Sequence, residues 1–154
     1  LYSVDPWQLN AYEPLEQVTA LNAPQSYFDS KYQEAKKRLG QYPNCHIVKK
    51  NSMEALEMFK DNSLDFVYID ANHDFVNFSL DLHYWLKKVR LGGIISGHDF
   101  AHYSYKKFNH VKRALLAYAR CYRMIPLFVL GLDTYDSGMV RDKYRSWLWV
   151  KDKG

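Results

Sequence analysis

"LDFVYIDANHDF", residues 64–75, joins a strand to an unusual end. Leu64 to Ile69 run with the near-continuous apolar character of a strand buried in a parallel sheet. The run then meets Asp70, Asn72, His73 and Asp74. A plain core asks for neither two carboxylates nor an imidazole at that point, so the strand's end is the first candidate site.

Elements of alternating type flank it. Upstream, "LYSVD" (1–5) reads as a short strand ending at an acidic residue before Pro6. "SYFDSKYQEAKKRLG" (26–40) repeats Tyr27, Phe28, Tyr32, Ala35 and Leu39 at helical spacing and stops at Gly40. "CHIVKK" is a further strand, and "NSMEALEMF" is a short helix that Asn51 caps, with Glu54 completing a capping box. Downstream, "FVNFSLDLHYWLKKV" is helical, with Phe78, Leu82, Trp85, Leu86 and Val89 on one face and "LGG" ending it. "IIS" is a strand and "HVKRALLAYARCY" a helix. "IPLFVLGL" and "RSWLWVKD" are two last strands able to pair antiparallel across a polar loop containing Asp136, Ser137 and Gly138. Strands alternating with helices imply right-handed βαβ crossovers. The expected fold is α/β: a doubly wound, mostly parallel sheet with an antiparallel C-terminal strand, in a three-layer α/β/α sandwich.

Composition narrows the class. The 154 residues suit one domain, 1–154, with no linker, repeat or low-complexity segment. Two cysteines make no disulfide framework, which favours a reducing compartment, and no apolar run of membrane length or export signal is visible. A cytoplasmic protein without membrane partners is expected. The net charge of +4 is mild and spread out, so nucleic acid is an unfavoured partner. The nearest basic group, Lys106, Lys107, His110, Lys112 and Arg113, reads equally well as the wet face of a helix.

Open sheets of this kind bind ligands beyond the carboxyl ends of their strands. The residues at those ends are Asp5, then Asn51 and Ser52, then Asp70 to Asp74, then His98 and Asp99.

"SVDPW", "KKNSMEAL", "LDFVYIDANHDF", "LKKVRLGGIISGHDF" and "HVKRALLAYA", in this order and spacing, resemble the class I S-adenosylmethionine-dependent methyltransferases. Closest is the small branch with an IDxxHxY-like motif followed by GGxxxGHDY; the resemblance covers roughly residues 1–120. It implies a Rossmann-like fold and a cofactor site. Asp5 would accept hydrogen bonds from the ribose hydroxyls, as a two-oxygen acceptor facing a diol can. Pro6 and Trp7 would lie near the adenine, with Asn51, Ser52 and Met53 on its other side, and Asp70, also one of the implied cofactor-binding residues, at the entrance to the active site. Asp70, His98 and Asp99 fall where metal-dependent relatives place Mg²⁺ ligands. A histidine departs from that oxygen-rich set, leaving a softer metal, a proton-transfer role for His98, or no metal. His73 matches a catalytic lysine position and can take a proton from a substrate hydroxyl. The catalytic set implied is Asp70, His73, His98 and Asp99.

Each role has a plainer rival. Asp5 can be a turn residue, Asp70 a helix cap, and His73 with Asp74 a solvated pair. His46, His83, His102 and His110 read as surface or packing residues. The resemblance also implies a first strand and glycine-rich turn ahead of "LYSVD", central in the sheet between 1–5 and 64–70. None of the seven glycines forms such a turn. A gap in the ladder is therefore expected, unless a longer chain, a relocated strand or a partner chain, for instance in a homo-oligomer, fills it. Methyl transfer to a small-molecule hydroxyl or amine is the leading reading. The alternatives are a degenerate domain used for assembly and a nucleic-acid methyltransferase.

Overall fold

The computed structural model describes residues 1–8, 23–101, 109–131 and 144–152. They form two compact units, Leu1–Met58 and Phe59–Gly154.

The first unit holds strand β1 (Tyr2–Val4), helix α1 (Gln25–Leu39), strand β2 (His46–Val48) and helix α2 (Ser52–Ala55), which tightens into a 3-10 turn over Leu56–Met58. β1 and β2 pair in parallel, Ser3 opposite Ile47. Parallel neighbours place both carboxyl ends at one edge, and the Asp5 N–H donating to Val48 O at 3.2 Å ties those ends together. The capping box read from "NSMEALEMF" is present: Asn51 Oδ1 accepts the Glu54 N–H at 2.9 Å and Glu54 Oε2 accepts the Asn51 N–H at 3.2 Å. Gly40 does follow α1, in a right-handed conformation; a Cβ there would meet Lys36 O at 2.6 Å.

The second unit holds β3 (Leu64–Ile69), α3 (Phe75–Lys88), β4 (Val89–Phe100), α4 (Val111–Tyr122), β5 (Phe128–Leu130) and β6 (Arg145–Val150), its sheet ordered β3-β4-β6-β5. β3 and β4 are parallel, whereas β6 runs antiparallel to both β4 and β5. The expected antiparallel pairing of the last two strands is thus present. "LGG" ends no helix: α3 passes straight into β4, and Leu91–Gly93 belong to the strand. Gly92 takes φ +73° at the kink, and its N–H donates to Lys151 O at 2.8 Å while the Lys151 N–H donates to Gly93 O at 2.9 Å. Both bonds are with Lys151, so Gly92 and Gly93 are held as strand backbone after a helix that has already ended at Lys88.

One face of this sheet carries Val67, Ile69, Ile95, Trp147 and Trp149, all buried with Phe78, Leu82 and Trp85 of α3 and Leu115 of α4. The Phe78 and Trp147 rings meet edge to face at 6.0 Å. Gly97 sits tightly between its partners in β3 and β6: a Cβ would lie 2.5 Å from Ile69 O and 2.7 Å from the Trp147 ring. The opposite face presents Phe66, Tyr68, Phe128 and Leu130 as exposed side chains. Double cover of β3 is therefore not what the described residues provide. Among them the strands form two sheets, β1-β2 in the first unit and β3-β4-β6-β5 in the second.

Lys151, just past β6, is buried, and its ammonium donates to Asn62 Oδ1 (3.0 Å), Leu86 O (3.1 Å) and Val89 O (2.8 Å). It uses all three of its donors to satisfy carbonyls at the α3–β4 junction.

Candidate functional site

The polar run after β3 divides by task. Asn72 and Asp74 build the turn: Asn72 Oδ1 accepts the Asp74 N–H at 3.0 Å, and Asp74 Oδ1 accepts the Asn77 N–H at 2.8 Å as the N-cap of α3. The cap is therefore Asp74, and Asp70 is left outside it. Asp70 is exposed and its Oδ1 lies 3.8 Å from His73 Nε2. His73 reaches further, to Asp99 Oδ2 at 2.9 Å.

Asp99 owes its place to an irregularity in β4. Gly97 pairs with Trp147 and Phe100 with Arg145, so His98 and Asp99 together face one residue of β6 in a bulge. Asp99 takes φ +60° there, a left-handed conformation costly for any residue with a Cβ. The bulge turns both side chains toward the β3 end. Asp99 is buried, and its Oδ2 is also 3.3 Å from His98 Nδ1. His98 Nε2 is buried and finds no partner among the described residues.

The charges follow from these contacts. Hydrogen bonding to Asp70 and Asp99 raises the His73 pKa from the usual 6.5 to about 9, against an opposing contribution from burial. Of the two carboxylates Asp99 is the nearer. Burial pushes the Asp99 carboxyl up, but hydrogen bonding and attraction to His73 and His98 outweigh it and leave the pKa below the ordinary 3.8. At neutral pH the cluster holds a protonated imidazole against a buried carboxylate.

Of the expected metal ligands Asp70, His98 and Asp99, the structure groups the first and last with His73, ligand atoms within 4.8 Å of one another, and His98 is not in that set. The set does not match the all-oxygen surroundings that Mg²⁺ prefers, because one of its three donors is the His73 nitrogen.

In the first unit, Asp5 follows β1 and is exposed, with Oδ1 accepting the Trp7 N–H. Partial burial raises its pKa and that hydrogen bond lowers it, the first prevailing. Trp7 is buried at φ +43° against Tyr32, ring centroids 5.1 Å apart. Asn51 is spent on the capping box, Ser52 is buried, and Met53 is half-buried. The arrangement offers a carboxylate and an apolar side chain at one strand edge, which suits a nucleoside.

His46 packs on Tyr2 at 4.9 Å, and His83 Nδ1 lies 3.0 Å from the Tyr118 hydroxyl, both as packing residues. His102, Lys106, Lys107 and Asp136 to Gly138 lie outside the described residues. His110 is not a bystander: its N–H donates to His73 O at 2.8 Å and its Nδ1 accepts the Phe75 N–H at 3.1 Å. Partners 35 and 37 positions away leave no spacing signal for sequence reading to find. Among the described residues no helix is long and apolar enough to cross a membrane.

A profile of the family described as "Methyltransferase domain" matches residues 1–100. A comparison with curated proteins gave no match. Among solved structures, the O-methyltransferase NovP is 16% identical with a TM-score of 0.64, the alignment covering 99% of this chain and 60% of that one. An O-methyltransferase from Bacillus cereus, in complex with SAH, is 18% identical with a TM-score of 0.53, covering 81% and 59%. A protein from Clostridium thermocellum described as an rRNA-methylase is 12% identical with a TM-score of 0.58, covering 99% and 72%. Identities this low establish the fold and nothing finer. The chain spans about three-fifths of the length of NovP and of the Bacillus cereus protein.

Proposed function

The chain belongs to the methyltransferase-domain family, and on that premise we propose that it transfers the methyl group of S-adenosylmethionine to a hydroxyl, or an amine, of a small-molecule acceptor. The two units are read as parts of one domain, since the family match runs across Met58 and Phe59. Asp5, Pro6, Trp7, Asn51, Ser52 and Met53 are assigned to the nucleoside, Asp70 to both the cofactor and the acceptor, and His73, His98 and Asp99 to the acceptor side. The observation that carries the reading is the His73–Asp99 pair, 2.9 Å apart at the neighbouring carboxyl ends of parallel strands.

Bound S-adenosylmethionine supplies an electrophilic sulfonium methyl, so the protein has mainly to align a nucleophile and take its proton. Asp99 faces His73 Nε2 and so favours the tautomer with its proton there. That leaves Nδ1, which has no partner among the described residues, to accept the hydroxyl proton. Asp70, exposed beside it, stabilises the imidazolium formed. Two free cysteines, Cys45 and Cys121, suit a reducing compartment such as the cytoplasm.

Calorimetric titration of S-adenosylhomocysteine tests the reading. Micromolar binding that Asp5→Ala and Asp70→Ala each weaken is the expected result. No heat from folded protein would instead favour a fold retained for assembly.

A further inference from the structure

His73 does its work at a side-chain nitrogen, but what fixes its backbone is another histidine. His110 immediately precedes α4, and its own main chain is held by that helix: the Ala114 N–H donates to His110 O at 2.9 Å. Its neighbour Asn109 is buried, with Oδ1 accepting the Val111 N–H at 3.1 Å. From this anchored position His110 grips the His73 segment at two points on either side of Asp74. Its N–H reaches the His73 carbonyl, and its ring Nδ1 takes the Phe75 N–H, one of the amides that the first turn of α3 leaves without a helical partner.

We infer that His110 is a positioning residue, whose Nδ1 and main-chain N–H together hold the His73 backbone so that the imidazole meets Asp99. The chain of contact runs from α4 through His110 to His73, and from His73 to the bulge in β4. Either bond alone would leave the segment free to pivot. Two bonds, one to a carbonyl and one to an amide, fix both position and direction. The groups facing His73 are Asp70 and Asp99, with His98 beyond on the same Asp99 oxygen. The inference deepens the role proposed for His73, yet its geometry stands whether or not methyl transfer is the reaction.

Three variants of the full chain test it. His110→Asn keeps an acceptor oxygen where Nδ1 stands; His110→Gln moves the acceptor too far along the side chain; His110→Ala removes it. The His73 ring resonances, followed by NMR as pH is varied, are expected to titrate near 9 in the wild-type protein and in His110→Asn. In His110→Gln and His110→Ala the midpoint moves at least one pH unit toward 6.5. With a working acceptor assay, kcat is expected to fall about ten- to a hundredfold in those two variants, KM for the cofactor staying within about twofold, as for a misplaced catalytic group. His73 titrating identically in all variants would overturn the inference whatever the activity. So would His110→Asn behaving like His110→Gln, since the acceptor atom would then be irrelevant. Should His110→Ala fail to fold, the contrast of Asn with Gln decides.

Discussion

His73 Nε2 stands 2.9 Å from Asp99 Oδ2, joining the turn after β3 to a bulge in β4. The pair makes stability depend on pH from both sides. His73 has a folded pKa above its unfolded value, so its contribution is complete below pH 6.5 and is lost as pH rises through about 9. Asp99 has a folded pKa below 3.8, so its contribution is present above that value and is lost as pH falls through the depressed one. Thermal melts between pH 6.5 and 9 are expected to show Tm falling more steeply for the wild-type protein than for Asp99→Asn.

Catalysis is expected to follow the same imidazole. If Nδ1 of His73 takes the acceptor's proton, only the neutral ring is active, and kcat rises with pH with its midpoint near 9. His73→Ala is expected to cost about 10²- to 10⁴-fold in rate, the usual share of a general base. Asp99→Asn should shift the midpoint of the profile toward 6.5. A rate independent of pH from 6 to 9 would remove His73 from the proton transfer.

Lys151 anchors the end of β6 to the α3–β4 junction. Lys151→Met keeps most of the apolar stem but leaves Asn62 Oδ1, Leu86 O and Val89 O without their donor. Urea denaturation is expected to show a loss of about 2 kcal/mol or more, as for a hydrogen bond to a charged group.

Two small substitutions near the site are expected to differ in cost. Gly97→Ala drives a methyl against Ile69 O and the Trp147 ring, which overpacking of this kind penalises by about 3 kcal/mol. Asp74→Ala removes the α3 cap for about 1 kcal/mol, and calorimetry should show cofactor binding little changed.

The local chemistry of the chain was readable in advance where neighbours in sequence are neighbours in space. The Asn51–Glu54 capping box, the helical faces of α3 and α4 and the strand "LDFVYI" all depend on spacings of two to four residues. Asp70 and His73 were legible for the same reason. The features that could not be read depend on distant partners. "LGG" looks like a helix stop until Lys151 is seen bonding to Gly92 and Gly93, and nothing in "SGHDF" announces a bulge with Asp99 at positive φ. His110 lacked any signal because its partners belong to α3's first turn.

Helix α3 hands over to β4 at Val89 without a connecting residue. His73 stands just before that run of fourteen helical and twelve strand residues, and Asp99 just before its end. One residue gained or lost within the helix would rotate the downstream chain by about 100°, and one within the strand would exchange its two faces. Either change separates the imidazole from its carboxylate. The separation along the chain between His73 and Asp99 is thus as much a part of the pair as the two side chains, and a one-residue insertion or deletion within 75–99 is expected to break it.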